Sequence, residues 1–245
     1  MKKRLLDRQA SLLEYLTSRA AIFGDIGGAP LDQDLRGIDS RLLNLEARFS
    51  HEKRMDKIVG VFPRTFEILG TKQGPIVQAF VAACPPAEIG RLANARQFHD
   101  FLSNHWQSGR PEPLYLRDVA ACELACAEVR VDVEERSQPT DGEKNAVRRR
   151  IRRRPGIVLL HCGYDIRRIF EEGAGGVAPA ERDTPIVVVM PPRAEQPRIF
   201  ELPPAIFDLL ATLDEWTDPV GLGAAPELDE LIQELAEHGL LEVRE

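Results

Sequence analysis

Long apolar runs are missing from this chain. No stretch approaches the ~20 apolar residues that a membrane span requires. The start, Met1-Lys2-Lys3-Arg4, leads into a charged amphipathic segment and not into an apolar secretory core with a cleavage site. The expectation is a cytoplasmic protein with no membrane partner. Cysteine is scarce as well: Cys84, Cys122, Cys126 and Cys162 are too few and too scattered for a disulfide framework. Cys122 and Cys126 stand i, i+4 on an expected helix and in principle share a face for a metal. In the Ala-rich run 120–127, two small packing residues are the simpler reading. The five histidines, His51, His99, His105, His161 and His238, form no ligand spacing. There is no Gly-x-Ser-x-Gly elbow and no dinucleotide fingerprint. Gly173-Ala174-Gly175-Gly176 lacks the Lys-Ser or Lys-Thr that a phosphate-binding loop needs. No catalytic residue, metal ligand or cofactor is therefore assigned to this chain. An excess of positive charge is absent too: the net charge of −7 opposes general affinity for phosphate backbones.

What is present is an ordinary globular composition, 43% apolar and 29% charged, over a length that accommodates two modest domains. Residues 3–23 read as an amphipathic helix that carries Leu5, Leu12, Leu13 and Leu16 and is broken by Gly24, Gly27, Gly28 and Pro30. Asp39-Ser40 is an N-cap signal for a helix running to Val59. Pro63 restarts the chain as a short helix stopped by Gly70, and a further piece ends at Cys84-Pro85-Pro86. A stretch with Leu92, Phe98, Phe101, Leu102 and Trp106 in helical phase follows, then a last helix from Leu114 to Val131. Residues 1–131 are thus expected to be an all-α domain and 132–154 a polar, Arg-rich linker. The linker ends in Arg148-Arg149-Arg150-Ile151-Arg152-Arg153-Arg154, six arginines in seven residues, which cannot share one helix face. Arg148, Arg149, Arg152 and Arg153 are the candidate anchor for carboxylates or phosphates. The competing reading is a solvated strap at a domain boundary.

Residues 155–245 read as a small α+β domain. Ile157 to Cys162 is its expected first strand. Ile186 to Met190 is β-branched and strand-like, and Pro197 to Leu202 returns as a second strand of a hairpin. Pro203-Pro204 opens one helix, and Pro226 opens another with Leu228, Leu231, Ile232 and Leu235 along one stripe. Gly239 stands where a C′ residue ends a helix, and Leu240 to Val243 leaves as an extended tail. Two strands, a helix, a Gly-bearing loop and a second helix outline a winged helix. The full fold class is α+β: an N-terminal all-α helical domain plus a small C-terminal winged-helix-like domain.

That last domain resembles the RiPP recognition element, the PqqD-like module that holds a precursor's leader peptide. The order of "RQASLLEYL", "KRMDKIVGVFPRTFEILG", "YLRDVAACELACAEV", "PGIVLLHCGYDIRRIFEEG", "IVVVMPP…RIFELPPAIFDLL" and "LDELIQELAEHGLLE" makes the whole chain resemble the HvfC/BufC accessory family, in its TglI/MbnC-like branch. The resemblance implies a non-catalytic subunit working beside a TIM-barrel, multinuclear non-haem iron oxidase (TglH/MbnB-like). That enzyme would supply the iron and oxidise a cysteine of a ribosomally made precursor peptide, in a 3-thiaglutamate- or methanobactin-type pathway. This chain would grip the peptide and present the cysteine, its helical domain docking the enzyme.

Peptide capture needs a free strand edge and an apolar trough beside it. The candidate residues are Arg198, Ile199, Phe200 and Glu201 on the strand, and Leu228, Leu231 and Ile232 on the flanking helix. The alternative for those helix residues is domain core, expected for at least half of the stripe. Two other functions compete. A winged-helix DNA-binding regulator would place a basic helix in the major groove, whereas "ELDELIQELAEHG" is acidic and has no Lys or Arg. A metal-dependent enzyme would need the scattered His, Cys and carboxylates to converge in space.

Overall fold

Asp39 opens the longest helix of the N-terminal half by accepting a hydrogen bond from the Arg41 N–H at 2.8 Å, an N-cap of the kind its sequence announces. The computed structural model describes residues 2–24, 35–86, 88–136, 149–173, 175–191, 194–219 and 226–244. The chain divides into two compact units, Met1–Pro111 and Glu112–Glu245. Among the described residues, no helix is long and apolar enough to cross a membrane.

In the first unit the described elements are all helices: α1 (Lys2–Thr17), α2 (Arg19–Phe23), α3 (Ser40–Val59), α4 (Pro63–Leu69), α5 (Gln73–Ala83) and α6 (Arg91–Ser108). The expected single helix over 3–23 is two, because the Ser18 hydroxyl accepts from the Ala21 N–H and starts a new helix. Pro63 sits in the first turn of α4, where its missing N–H costs nothing. The core is aromatic. Phe98, fully buried on α6, lies 5.5 Å from the ring centres of Phe62 and Phe66 and 5.1 Å from that of Phe80.

The second unit mixes α7 (Leu116–Arg136), β1 (Arg150–Arg153), β2 (Val158–Tyr164), α8 (Arg167–Glu172), β3 (Glu181–Val189), β4 (Arg198–Glu201), α9 (Pro204–Thr212), α10 (Pro226–Glu237) and β5 (Leu241–Arg244). It is an α+β unit with two antiparallel sheets, one ordered β2-β3-β4 and the other a β1-β5 ribbon. The helix that sequence assigned to the all-α domain, α7, packs on β2 and β3. Its small-residue stripe, Val119, Cys122, Ala125 and Val129, is buried. The expected linker also ends early: Arg150–Arg153 of its arginine run form strand β1, pairing Arg150 with Arg244 and Arg153 with Leu241. A bridge between Ile151 and Thr217 closes the strand's other side, with bonds of 2.9 and 2.8 Å.

Strand alternation gives the three-stranded sheet two different faces. Val187 and Val189 join Phe207 and Leu210 of α9, Ile232 and Leu235 of α10, and Ile151 of β1 in one apolar core. Gly239 ends α10 at φ +75°, with Leu240 N–H bonded to the Leu235 carbonyl and Gly239 N–H to that of Ala236. That double bond pattern is a Schellman motif, for which glycine is the favoured residue. It delivers the chain directly into β5.

Candidate functional site

Leu202 N–H donates to the Pro185 carbonyl at 2.9 Å, which fixes the phase of β4 against β3. Backbone groups of alternate residues in an antiparallel strand point to opposite sides. Arg198, Phe200 and Leu202 therefore turn their N–H and C=O groups toward β3. Those of Ile199 and Glu201 point away from it. Since β4 is last in its sheet, that outer side pairs with no strand among the described residues. An exposed edge of this kind accepts an added strand.

Register places the side chains. Phe200 stands opposite Val187 and Arg198 opposite Val189, so both lie on the face of the α9–α10 core. Phe200 is 38% exposed at the rim of that core, and Arg198 is exposed. Ile199 and Glu201, opposite Val188 and Ile186, take the other face. The helix residues separate from this set. Ile232 is 0% exposed and belongs to the core, so it offers no surface to a ligand. Leu228 and Leu231 are half-buried against the same core. α10 lies chiefly along β5. Phe200 and the α10 stripe thus share a side of the sheet without α10 being the direct neighbour of β4 that the sequence suggested.

A four-charge network anchors the end of β4. Glu201 Oε1 accepts from Arg182 Nη1 at 2.5 Å, and Glu201 Oε2 lies 2.7 Å from Arg167 Nη2. Asp165 holds Arg167 through both carboxylate oxygens at 2.7 Å each and accepts from Arg182 Nη2 at 2.8 Å. The hydrogen bonds from Arg167 and Arg182 keep the Asp165 carboxyl well below the usual carboxylate range, and those from Arg182 lower that of Glu201. Glu201 is therefore a fastener of the edge strand, tying it to β3 and to the start of α8. This was not readable from sequence, because its partners Arg167 and Arg182 lie in two separate segments, 34 and 19 residues away.

Three arginines of the run are engaged within the unit. Arg149 pairs with Asp229 of α10 at 2.6 Å. Arg152 reaches Glu242 through Nε at 2.7 Å and Nη2 at 2.6 Å. Arg153 binds Asp214 and the Leu210 carbonyl. Arg152 and Arg244 both stack on Trp216, at 4.6 and 4.2 Å from its ring centre. Three of the four candidate anion ligands are thus engaged by the domain's own carboxylates, while Arg148 lies outside the described residues. Strand alternation, and not one helix face, is how so many guanidinium groups find partners in so short a run.

At the α7–sheet contact, Asp118 accepts from the Tyr164 N–H at 3.0 Å, beside the irregularity between Cys162 and Tyr164. Burial raises the Asp118 carboxyl against the lowering effect of backbone N–H donors from Tyr164 and Gly163. Cys122 and Cys162 are buried in the same region, and burial pushes the Cys162 thiol up to about 12. At neutral pH that side chain is held as the thiol, and the thiolate is the minor form. Among the described residues no three His, Cys, Asp or Glu side chains are placed to hold a metal ion.

The second unit is therefore an α+β domain whose charge-anchored edge strand is open among the described residues. No protein-family model matches the chain, and no curated protein matches it either.

Proposed function

We propose that this chain is a non-catalytic partner subunit that holds a precursor peptide for a separate multinuclear iron oxidase of the TIM-barrel type. The C-terminal unit would act as a winged-helix-like peptide-recognition domain, and the iron would belong to the oxidase. The observation that carries the reading is the outer side of β4, unpaired among the described residues, where the backbone groups of Ile199 and Glu201 face outward beside the exposed Phe200. An extended leader peptide would add a strand there. Its backbone would give affinity, and alternate side chains would meet Phe200 and the half-buried Leu228 and Leu231 for specificity. The HvfC/BufC resemblance supplies the identity of the enzyme and the cysteine chemistry.

The first unit would dock that enzyme. Its helices expose more large apolar side chains than scattered surface residues require, among them Leu5, Leu6 and Leu13 on α1. On α3, Leu42, Leu45 and Phe49 are exposed at i, i+3, i+7, one stripe along the helix.

The test couples co-purification with a tagged, gene-neighbouring iron oxidase to titration with synthetic peptides encoded beside it. Binding should slow amide exchange at Ile199 and Glu201. Phe200→Ala should weaken peptide affinity about tenfold, corresponding to ~1.4 kcal/mol, without unfolding the protein. Unprotected amides at both positions, or unchanged affinity in the variant, would remove the site.

A further inference from the structure

The first unit contains a cavity of about 260 Å³ that the reading above leaves unused. Leu16, Ile22, Val81, Pro86 and Ile89 supply apolar walls, and one segment of α3 supplies the cations Lys53, Arg54 and Lys57. These cations meet no carboxylate among the described residues. Arg54 is held instead by neutral acceptors: Nε donates to Asn94 Oδ1 at 3.0 Å, Nη1 to the Cys84 carbonyl at 2.9 Å and Nη2 to Gln97 Oε1 at 2.7 Å. Its guanidinium also lies 4.5 Å above the Phe80 ring. Lys57 donates to the Ile89 carbonyl at 2.8 Å. Among the described residues, Glu88 is the one acidic member of the lining.

In a chain carrying a net charge of −7, the described residues of this lining thus set three cations against one acid. The positive charge of Arg54 is positioned by four neutral contacts without being neutralised by any of them. A partly buried charge without an ionic partner is costly. Burial lowers the pKa of Arg54 and, aided by Arg54, that of His51 beside it. An anion would relieve that cost, and the apolar walls call for a hydrocarbon portion on the same molecule. The volume lies below the ~300 Å³ at which drug-sized pockets begin, so the ligand is small.

We infer that the cavity lined by Lys53, Arg54 and Lys57 binds a medium-chain carboxylate, its head group at the cations and its alkyl chain against Leu16, Ile22 and Val81. The site is independent of β4 and of the peptide reading.

The probes are octanoate, octanol and acetate, titrated calorimetrically into the full chain at moderate salt. Octanoate should bind saturably at one site, with octanol and acetate each at least tenfold weaker. Lys53→Gln/Lys57→Gln changes two lysines that have no ionic partners among the described residues. It should cut octanoate affinity at least tenfold while leaving the melting temperature of the ligand-free protein in place. A second variant, Ser50→Trp, places bulk on the lining without touching a cation and should also abolish binding. Absence of saturable octanoate binding would overturn the assignment. So would equal affinity for octanol, or octanoate affinity unchanged in the lysine variant.

Discussion

Arg152→Met separates a structural role for the arginine run from an anion-binding one. The substitution keeps most of the aliphatic stem, so packing of β1 against the ribbon is largely retained. It removes the two contacts from Nε and Nη2 to Glu242 and the stacking on Trp216. The ion pair is partly exposed, with side-chain accessibilities of 28% and 36%, so solvent screening limits it to about 0.2–1 kcal/mol. The cation–π contact at a part-exposed site adds about 0.5–1 kcal/mol. The expected loss is therefore about 1–2 kcal/mol, or about 3–8 °C in the melting temperature of a unit this size. Differential scanning calorimetry reads it directly. Arg150→Met is the control: Arg150 is exposed and meets no carboxylate among the described residues, so its loss should stay within about 0.5 kcal/mol. A melting temperature within 1 °C of the parent for Arg152→Met would refute the structural assignment. Inorganic phosphate that raised the melting temperature of the parent but not of Arg152→Met would revive the anion site.

Two further outcomes test the packing and the ionic network. Phe98→Ala, which empties the centre of the aromatic cluster in the first unit, should cost about 3–5 kcal/mol in denaturant unfolding; a loss below 1 kcal/mol would mean that the cluster is not the core. Asp165 and Glu201 have carboxyl pKa values depressed in the folded state. The stability they confer is therefore complete above their unfolded values near pH 4 and is lost as the pH falls through and below that point. The Asp165→Asn/Glu201→Gln variant should show a shallower stability loss between pH 5 and pH 2 than the parent, and parallel curves would refute the coupling.

Local signals were readable wherever a single residue type has a single mechanical use. Asp39 caps α3, Pro63 opens α4 and Gly239 turns α10 into β5, each at its expected position. The allegiance of α7 was not readable, since a small-residue stripe of Ala and Cys announces a close neighbour without naming it. The β1–β5 pairing was hidden for another reason. Its partners stand 90 residues apart at Arg152 and Glu242, and β1 contains only one apolar residue, Ile151. A four-residue strand with a single apolar position has no hydrophobic period to detect. The same holds for Glu201, whose meaning depends on Arg167 and Arg182 arriving from elsewhere. The candidate edge was legible in outline, through β4 and Phe200, while Ile232 shows that one apolar stripe cannot distinguish core from trough.

The dimensions of the edge constrain how peptide capture would work. β4 spans Arg198–Glu201, and its outer side offers the N–H and C=O groups of Ile199 and Glu201. Each backbone hydrogen bond is worth about 0.5–1.5 kcal/mol net. Full use of those groups therefore gives about 2–6 kcal/mol, short of the ~8 kcal/mol that a micromolar complex needs. Phe200, more than a third exposed, can add about 1–2 kcal/mol by further burial. The ordering of a flexible peptide draws on the same sum. Capture by this edge alone would thus be weak. It becomes effective only if the oxidase holds the cysteine-bearing part of the same peptide, so that each attachment raises the local concentration for the other. On that account, peptide affinity measured with both proteins present should exceed that of this chain by at least tenfold. Equal affinities would mean that the strand edge does not share its ligand.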